Sequence, residues 1–450
     1  MPLVRSISGL RATVDDNILN NDLIRDYCRA YSQVIPTGDV IIGMDGRPSG
    51  KEIIAVAAET LAGCGRNVLV AGVVPTPTVQ LLVENLDAAG GIIVTASHNP
   101  AQWNGLKFLG NDGVFLDAKK NAELWNVLDN RLFASVEKNG KIKTIDNALD
   151  LHLGSIMQIF VLQDSLVDIK EMKLRAVVDA VNASGSEFIP ALLEKLGVGI
   201  IPLFCDGSGV FPHTPEPLPQ NLSQLAAAVH ENSADIGIAV DPDADRLVLI
   251  DGTGEPVGEE MTVSLATESV LSARQDMSSG YSVVVNLSTT RLVEDIAGKY
   301  GADFYRSPVG EINVVRKMQA NGAIIGGEGS GGVIYPDCHY GRDSLVGTAL
   351  VLSLMARRKK TLRDIVNGYP KYDIVKMKRN YSGDVKQLIQ KIAAAYPDAD
   401  VNLDDGIRID FPKRWVQLRG SNTEPIIRII AEAPTKAEAE ELAELLQSKI

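Results

Sequence analysis

Cysteine is scarce: 450 residues contain only Cys28, Cys64, Cys205 and Cys338. None stands near another, so the chain has no CxxC metal or redox motif, and scattered thiols fit a reducing compartment better than a disulfide framework. Positive charge is also short. Lys and Arg number 44 against 57 Asp and Glu, a formal net charge of −13. Nucleic-acid binders normally carry a basic face, so that class is excluded. Phosphate substrates are not, because a few local Arg, Lys and metal sites can hold a phosphate on an acidic protein. No apolar run approaches the ~18 residues of a membrane helix, and the opening MPLVRSISGLRATVDDN has no apolar signal core. The expectation is a cytoplasmic protein that touches neither membrane nor nucleic acid. No low-complexity segment is present, and His152, His213 and His230 share no metal-ligand spacing.

What is present is a recurring strand, polar loop and helix. Residues 39–45 (DVIIGMD) form a short apolar run ending in the turn GRPSG, followed by Ile53, Val56, Ala57 and Leu61 at helical spacing. Strands are predicted at 67–71, 91–95, 174–181, 198–204, 234–241, 247–251 and 281–287, and helices at 78–85, 187–196 and 291–300. Such alternation with short connections implies an α/β protein with mostly parallel sheets covered by helices. The last ~80 residues differ. Runs at 407–411 and 415–419 flank a Pro-Lys-Arg turn and predict a hairpin, 426–431 adds a strand, and Thr435 caps a charged helix over 435–449. Boundaries fall near 150, 255 and 370, giving three α/β units, 1–150, 151–255 and 256–370, and a smaller α+β unit, 371–450.

Four segments carry chemistry. Thr95-Ala96-Ser97-His98-Asn99-Pro100 follows a strand, and α/β sheets place ligands beyond strand carboxyl ends. Asp241, Asp243 and Asp245 alternate in DPDADR, so on an extended stretch they point the same way. Three such carboxylates suit Mg²⁺, whereas an EF-hand would need Gly at Arg246 and Glu at Gly252. Gly326–Gly332 (GGEGSGG) contains a formal GxGxxG but runs into VIYP rather than a helix, which argues against a dinucleotide site. Its glycines instead let backbone approach a small polar ligand, with Glu328 and Ser330 offering side-chain contacts. Arg419-Gly420-Ser421-Asn422-Thr423-Glu424-Pro425, with Arg428 beyond, has the makings of a phosphate cradle. Lesser candidates are Arg11, Arg47, Lys107 and the stretch His339-Tyr340-Gly341-Arg342-Asp343.

In order and spacing these segments resemble the α-D-phosphohexomutase family, and GMDGRPSG and FPHTPEPLPQNL strengthen the match. The resemblance covers nearly the full length. It implies a heart-shaped, four-domain protein, three similar α/β domains plus a C-terminal α+β domain, with one loop from each meeting in a central cleft. It implies a phosphorylated Ser97, with His98 beside it, and a Mg²⁺ on Ser97, Asp241, Asp243 and Asp245. Glu328 and Ser330 would hold sugar hydroxyls. Arg11, Arg419, Ser421, Asn422, Thr423 and Arg428 would hold substrate, chiefly the idle phosphate, and Lys107, Arg246 and His339 are the candidates for proton transfer. A hexose 1,6-bisphosphate would be both intermediate and activator, and the enzyme a monomer or homodimer.

This chain has Gly332 where many bacterial members close the sugar loop with His, and His339 is the expected replacement. Ser8-Gly9-Leu10-Arg11 matches the family's glycine-isoleucine-arginine turn loosely. GGEGSGG and TEPIIRI lie nearer phosphoglucosamine mutases, especially of archaeal type, than phosphomannomutase/phosphoglucomutase. The alternatives are those two sugars, a sugar bisphosphate phosphatase or synthase on the same scaffold, and a non-catalytic sugar-phosphate sensor.

Overall fold

The computed structural model describes residues 3–134, 138–274, 280–420 and 425–450. Strand Val40–Met44 is buried throughout and lies in a seven-stranded sheet, parallel to Gly90–Val94 on one side and Val68–Val73 on the other. Its uninterrupted apolar run is what a strand covered on both faces requires. The second sheet has four strands, with Ile236–Val240 between Arg175–Asp179 and Leu247–Asp251. The third has five and centres on Ser282–Asn286 and Ile325–Glu328. The fourth is antiparallel, in the order Asp373–Asn380, Ile426–Ala433, Arg414–Gly420, Ile407–Phe411, Asp400–Asn402.

The first three sheets are all mixed, and only the second keeps more parallel than antiparallel pairs. Their centres are parallel, but Trp103–Leu109, Leu247–Asp251 and Gly332–Tyr335 each pair antiparallel with the preceding strand. Each of these strands returns directly through a short loop, and those loops are the chemistry-bearing segments.

One apolar core runs through the first three units. It joins Ile41, Val79 and Ile93 to Val178 and Leu192, and on to Val284 and Leu350. Helix Phe160–Met172 packs on helix Ser344–Arg358, so the chain entering the second unit braces the third. The fourth unit closes its own core around Ile407, Val416, Ile427 and Leu442.

Candidate active site

Strand Gly90–Val94 ends at Thr95, and the loop beyond it puts Ser97 in left-handed backbone geometry, φ 51°. That region is costly for a side chain with a Cβ and is held only where neighbours enforce it. Ser97 is buried, its Oγ donates to Asp241 Oδ2 at 3.1 Å, and His98 Nδ1 stands 3.3 Å away. Burial, reinforced by Arg246 and Arg11, pushes the His98 imidazole down to about 2.

Asp241, Asp243 and Asp245 lie between strands Ile236–Val240 and Leu247–Asp251. The stretch is a turn with Ala244 at φ 50°, not the extended run expected from the sequence. The turn gathers the carboxylates all the same: one oxygen of each lies within 4.8 Å of the others, and all three residues are fully buried. Burial, then Asp245 and Asp243, raise Asp241 well above the ordinary carboxylate range. Burial also opposes ionisation of Asp245, but Arg342, Lys107 and Arg246 outweigh it and hold that carboxyl below its usual value.

Two buried oxygens, Asp243 Oδ1 and Asp245 Oδ1, have no hydrogen-bond partner among the described residues. Unsatisfied buried carboxylate oxygens are expensive, and a hard divalent cation would satisfy them with an all-oxygen donor set. The residues present therefore fit a metal such as Mg²⁺. The opposite oxygens are already engaged. Lys107 Nζ lies 2.5 Å from Asp243 Oδ2 and 3.2 Å from Asp245 Oδ2, and Thr76 Oγ1 donates to Asp243 Oδ2 at 2.7 Å. Thr76 opens helix Thr76–Asn85, so the positive end of a helix faces the acidic turn.

The glycine-rich segment is a hairpin, Ile325–Glu328 turning into Gly332–Tyr335 with Glu328 opposite Gly332. Glu328 accepts from Asn286 Nδ2 at 2.8 Å, Gly310 N at 3.0 Å and Arg342 Nη1 at 2.8 Å. Arg342 also holds Asp245 at 2.6 Å and Glu311 at 3.0 Å, so one guanidinium ties the acidic turn to the sugar-loop hairpin. A Cβ on Gly332 would stand 2.3 Å from Arg342 Cδ. The bare glycine makes room for this arginine.

His339 does not take the place expected for it. It is buried away from the cleft, its Nε2 3.1 Å from Asp343 Oδ2, which His152 Nε2 also reaches at 2.8 Å. His152, assigned no chemistry from spacing, thus belongs to a buried His-Asp-His group that anchors the start of helix Ser344–Arg358. The cleft position falls to Arg342.

In the fourth unit Arg419 pairs across the sheet with Arg428, and Arg428 with Lys378. Directly opposite residues share a sheet face, where like charges repel, so this row concentrates positive charge on one face of the sheet. Ser421, Asn422 and Thr423 lie outside the described residues.

These parts converge on a cleft of about 570 Å³, a volume suited to a small polar ligand. Arg11, His98 and Lys107 line it from the first unit, Arg246 from the second, and Glu328, Ser330 and Arg342 from the third. Lys376, Lys378, Arg419 and Arg428 complete it from the fourth. Arg11 donates to Asn99 Oδ1 at 3.0 Å, and Arg246 Nε stands 3.9 Å from Asp241 and 3.8 Å from Asp245. Thr76, Glu311, Glu260, Lys376 and Lys378 were not singled out from the sequence. Only the two lysines left a trace there, alternating along strand Asp373–Asn380.

A fold of three α/β units and one α+β unit, with a serine hydrogen-bonded to an acidic triad beside a cleft rich in cationic side chains, defines a phosphoryl-transfer enzyme acting on a small polar substrate. Residues 4–135, 155–254 and 258–372 match the phosphoglucomutase/phosphomannomutase α/β/α domains I, II and III, and 375–448 match the C-terminal domain. The chain is 34% identical over 413 residues to a phosphoglucomutase/phosphomannomutase of Thermococcus kodakarensis, covering 90% of this chain and 88% of that one. It is 31% identical to a probable phosphoglucosamine mutase of Methanopyrus kandleri, over 97% and 95% of the two chains. A solved phosphoglucomutase/phosphomannomutase family protein from Burkholderia thailandensis superposes with a TM-score of 0.85 at 26% identity, over 99% of this chain and 97% of that one. The chain belongs to this family, the α-D-phosphohexomutases, and is a phosphomutase.

Proposed function

We propose that this protein interconverts glucosamine 6-phosphate and glucosamine 1-phosphate through a phosphorylated Ser97. The observation that carries the reading is the contact between Ser97 Oγ and Asp241 Oδ2, at 3.1 Å, next to a cleft that His98, Lys107, Arg246, Arg419 and Arg428 line. Phosphoserine 97 gives its phosphoryl group to the free hydroxyl of the bound hexose phosphate. The P–O bond to Ser97 breaks as the P–O bond to the sugar forms, and the proton lost by the sugar hydroxyl ends on the released Ser97 oxygen, leaving a 1,6-bisphosphate. The bisphosphate turns round, its other phosphoryl group returns to Ser97, and the isomeric monophosphate leaves.

Lys107 and Arg246 supply positive charge beside Ser97, and Arg11 reaches the same space. A divalent cation such as Mg²⁺ on Asp241, Asp243 and Asp245 would neutralise charge on the transferring group. Arg419, Arg428 and Lys378 hold the idle phosphate, with Ser421, Asn422 and Thr423 assigned to that loop from the sequence. Glu328 and Ser330 hold sugar hydroxyls, and Arg342 fixes Glu328 in place. The transition state of phosphoryl transfer is loose, so positioning and charge carry most of the rate. Free hexose 1,6-bisphosphate would recharge a bare Ser97 and so act as activator.

The preference for glucosamine rests on the sequence forms of the sugar and phosphate loops and on relatives named phosphoglucosamine mutase. The Thermococcus relative's name favours a second reading, glucose or mannose phosphates. Turnover of glucosamine, glucose and mannose 6-phosphates side by side, each with its own 1,6-bisphosphate, decides between them. The first reading expects the highest kcat/KM for glucosamine 6-phosphate, and a higher value for either neutral sugar overturns it.

A further inference from the structure

We propose that Arg47 is the positioning residue of the transfer step, holding Ser97 by closing a ring of hydrogen bonds through both of its backbone polar groups. This rests on the reading of Ser97 as the phosphoryl carrier.

Arg47 comes from the turn after strand Val40–Met44, next in the sheet to the strand that delivers Ser97. Its side chain is fully buried. Nη2 donates to the carbonyls of Ser97, at 2.5 Å, and Asn99, at 2.7 Å, and Nη1 donates to that of Pro100 at 2.9 Å. Nε donates to Asp45 Oδ2 at 2.9 Å. From the other side Ser97 N donates to Thr95 Oγ1 at 2.8 Å, and Thr95 Oγ1 donates to Asp45 Oδ2 at 2.6 Å. The circuit runs Ser97 N, Thr95, Asp45, Arg47, Ser97 O, and every member is buried.

A buried guanidinium and carboxylate are a costly way to fasten a loop. What they secure is the left-handed backbone of Ser97, a geometry the residue would leave if either end came free. Among the described residues the Arg47 side chain bonds Asp45 and the carbonyls of Ser97, Asn99 and Pro100, not Ser97 Oγ or the acidic triad, so it reaches Ser97 through the backbone. The second unit bears on the same turn. The Phe211 ring lies 4.8 Å from the guanidinium carbon, and a Cβ on Gly209 would stand 1.9 Å from the Gly46 carbonyl. Arg47 therefore stands where the unit carrying Ser97 meets the unit carrying the triad. Lysine cannot substitute, because one ammonium does not reproduce a planar fork serving three carbonyls and a carboxylate.

The test compares Arg47→Lys and Arg47→Ala with the unaltered protein, after thermal melts establish that they fold. Phosphoryl uptake by Ser97 from glucose 1,6-bisphosphate and the kcat of isomerisation should both fall about 100-fold, the scale of a small misplacement of a reacting group. KM should stay within about twofold, and added guanidinium should restore part of the rate to Arg47→Ala. Thr95→Val breaks the ring from the other side and should lower kcat about tenfold at unchanged KM; it decides the matter if the Arg47 variants do not fold. Uptake and kcat within about twofold of the parent in folded Arg47→Lys or in Thr95→Val overturn the proposal, as does a defect confined to KM. If Ser97 of the parent protein neither carries a phosphoryl group as isolated nor takes one up, the underlying reading fails instead.

Discussion

Ser97 Oγ and Asp241 Oδ2 stand 3.1 Å apart although 144 positions separate them in the chain. The contact joins the carboxyl-end loop of one sheet to the carboxyl-end loop of the next. It holds because the units are locked around it: Thr76 N donates to the Asp243 carbonyl at 2.8 Å, and Lys107 crosses from the first sheet to Asp243 and Asp245.

Asp243→Asn should weaken divalent-cation binding and turnover together. Thermal melts with and without Mg²⁺ check this. A ligand at about 100 times its Kd stabilises a protein by about 2.7 kcal/mol, so the parent should melt several degrees higher with Mg²⁺. The variant should lose most of that gain.

Gly332→Ala should drive a methyl into Arg342, whose guanidinium is pinned by Asp245, Glu311 and Glu328 and cannot swing clear without breaking an ion pair. The expected cost is about 1–3 kcal/mol of stability, the range for overpacking a filled site, with a fall in kcat/KM. Denaturant melts and steady-state kinetics measure both. Arg342→Ala should lower kcat/KM further, because it leaves buried carboxylates unpaired.

Glu260 links pH to stability. Its carboxylate accepts from Thr290 N at 3.0 Å and faces Lys376 at 3.5 Å, with Glu259 and Glu432 close by. Burial lifts its pKa from 4.5 to about 8, against the pull of Lys376. The folded state therefore holds a proton that the unfolded state releases above about 4.5. Its contribution is fully present below that pH and is lost as pH rises through about 8. Glu260→Gln should gain stability relative to the parent between pH 5 and pH 8.5, and melting temperatures across that range test the sign.

Much of this site could be read from the sequence because each loop follows a strand with a plain signature. The apolar runs GGIIV and IGIAV are strands buried throughout, and Ser97 and the three aspartates come directly after them. The antiparallel returns were less legible, because strand direction depends on pairing partners distant in sequence. Helix Ser344–Arg358 was missed for another reason. It is buried nearly all round, so it lacks the polar face that makes a helical period visible.

His339 and Arg342 show where residue type misleads. A histidine near a sugar loop invites a catalytic reading, but Asp343 and His152 draw it into the core. Arg342 was visible only as one letter in the same stretch. Its importance comes from three carboxylates on separate segments, which no local pattern reveals. Thr76 and Lys378 are alike in this respect, since their partners come from other elements.

The account stands most directly on the mass of the intact protein before and after incubation with glucose 1,6-bisphosphate and Mg²⁺. It predicts a species one phosphoryl group heavier, with the addition mapping to Ser97 and absent from Ser97→Ala, a variant that should also lose nearly all turnover. A Ser97 that stays bare both before and after the incubation, a phosphate on another residue, or ordinary turnover by Ser97→Ala would contradict it.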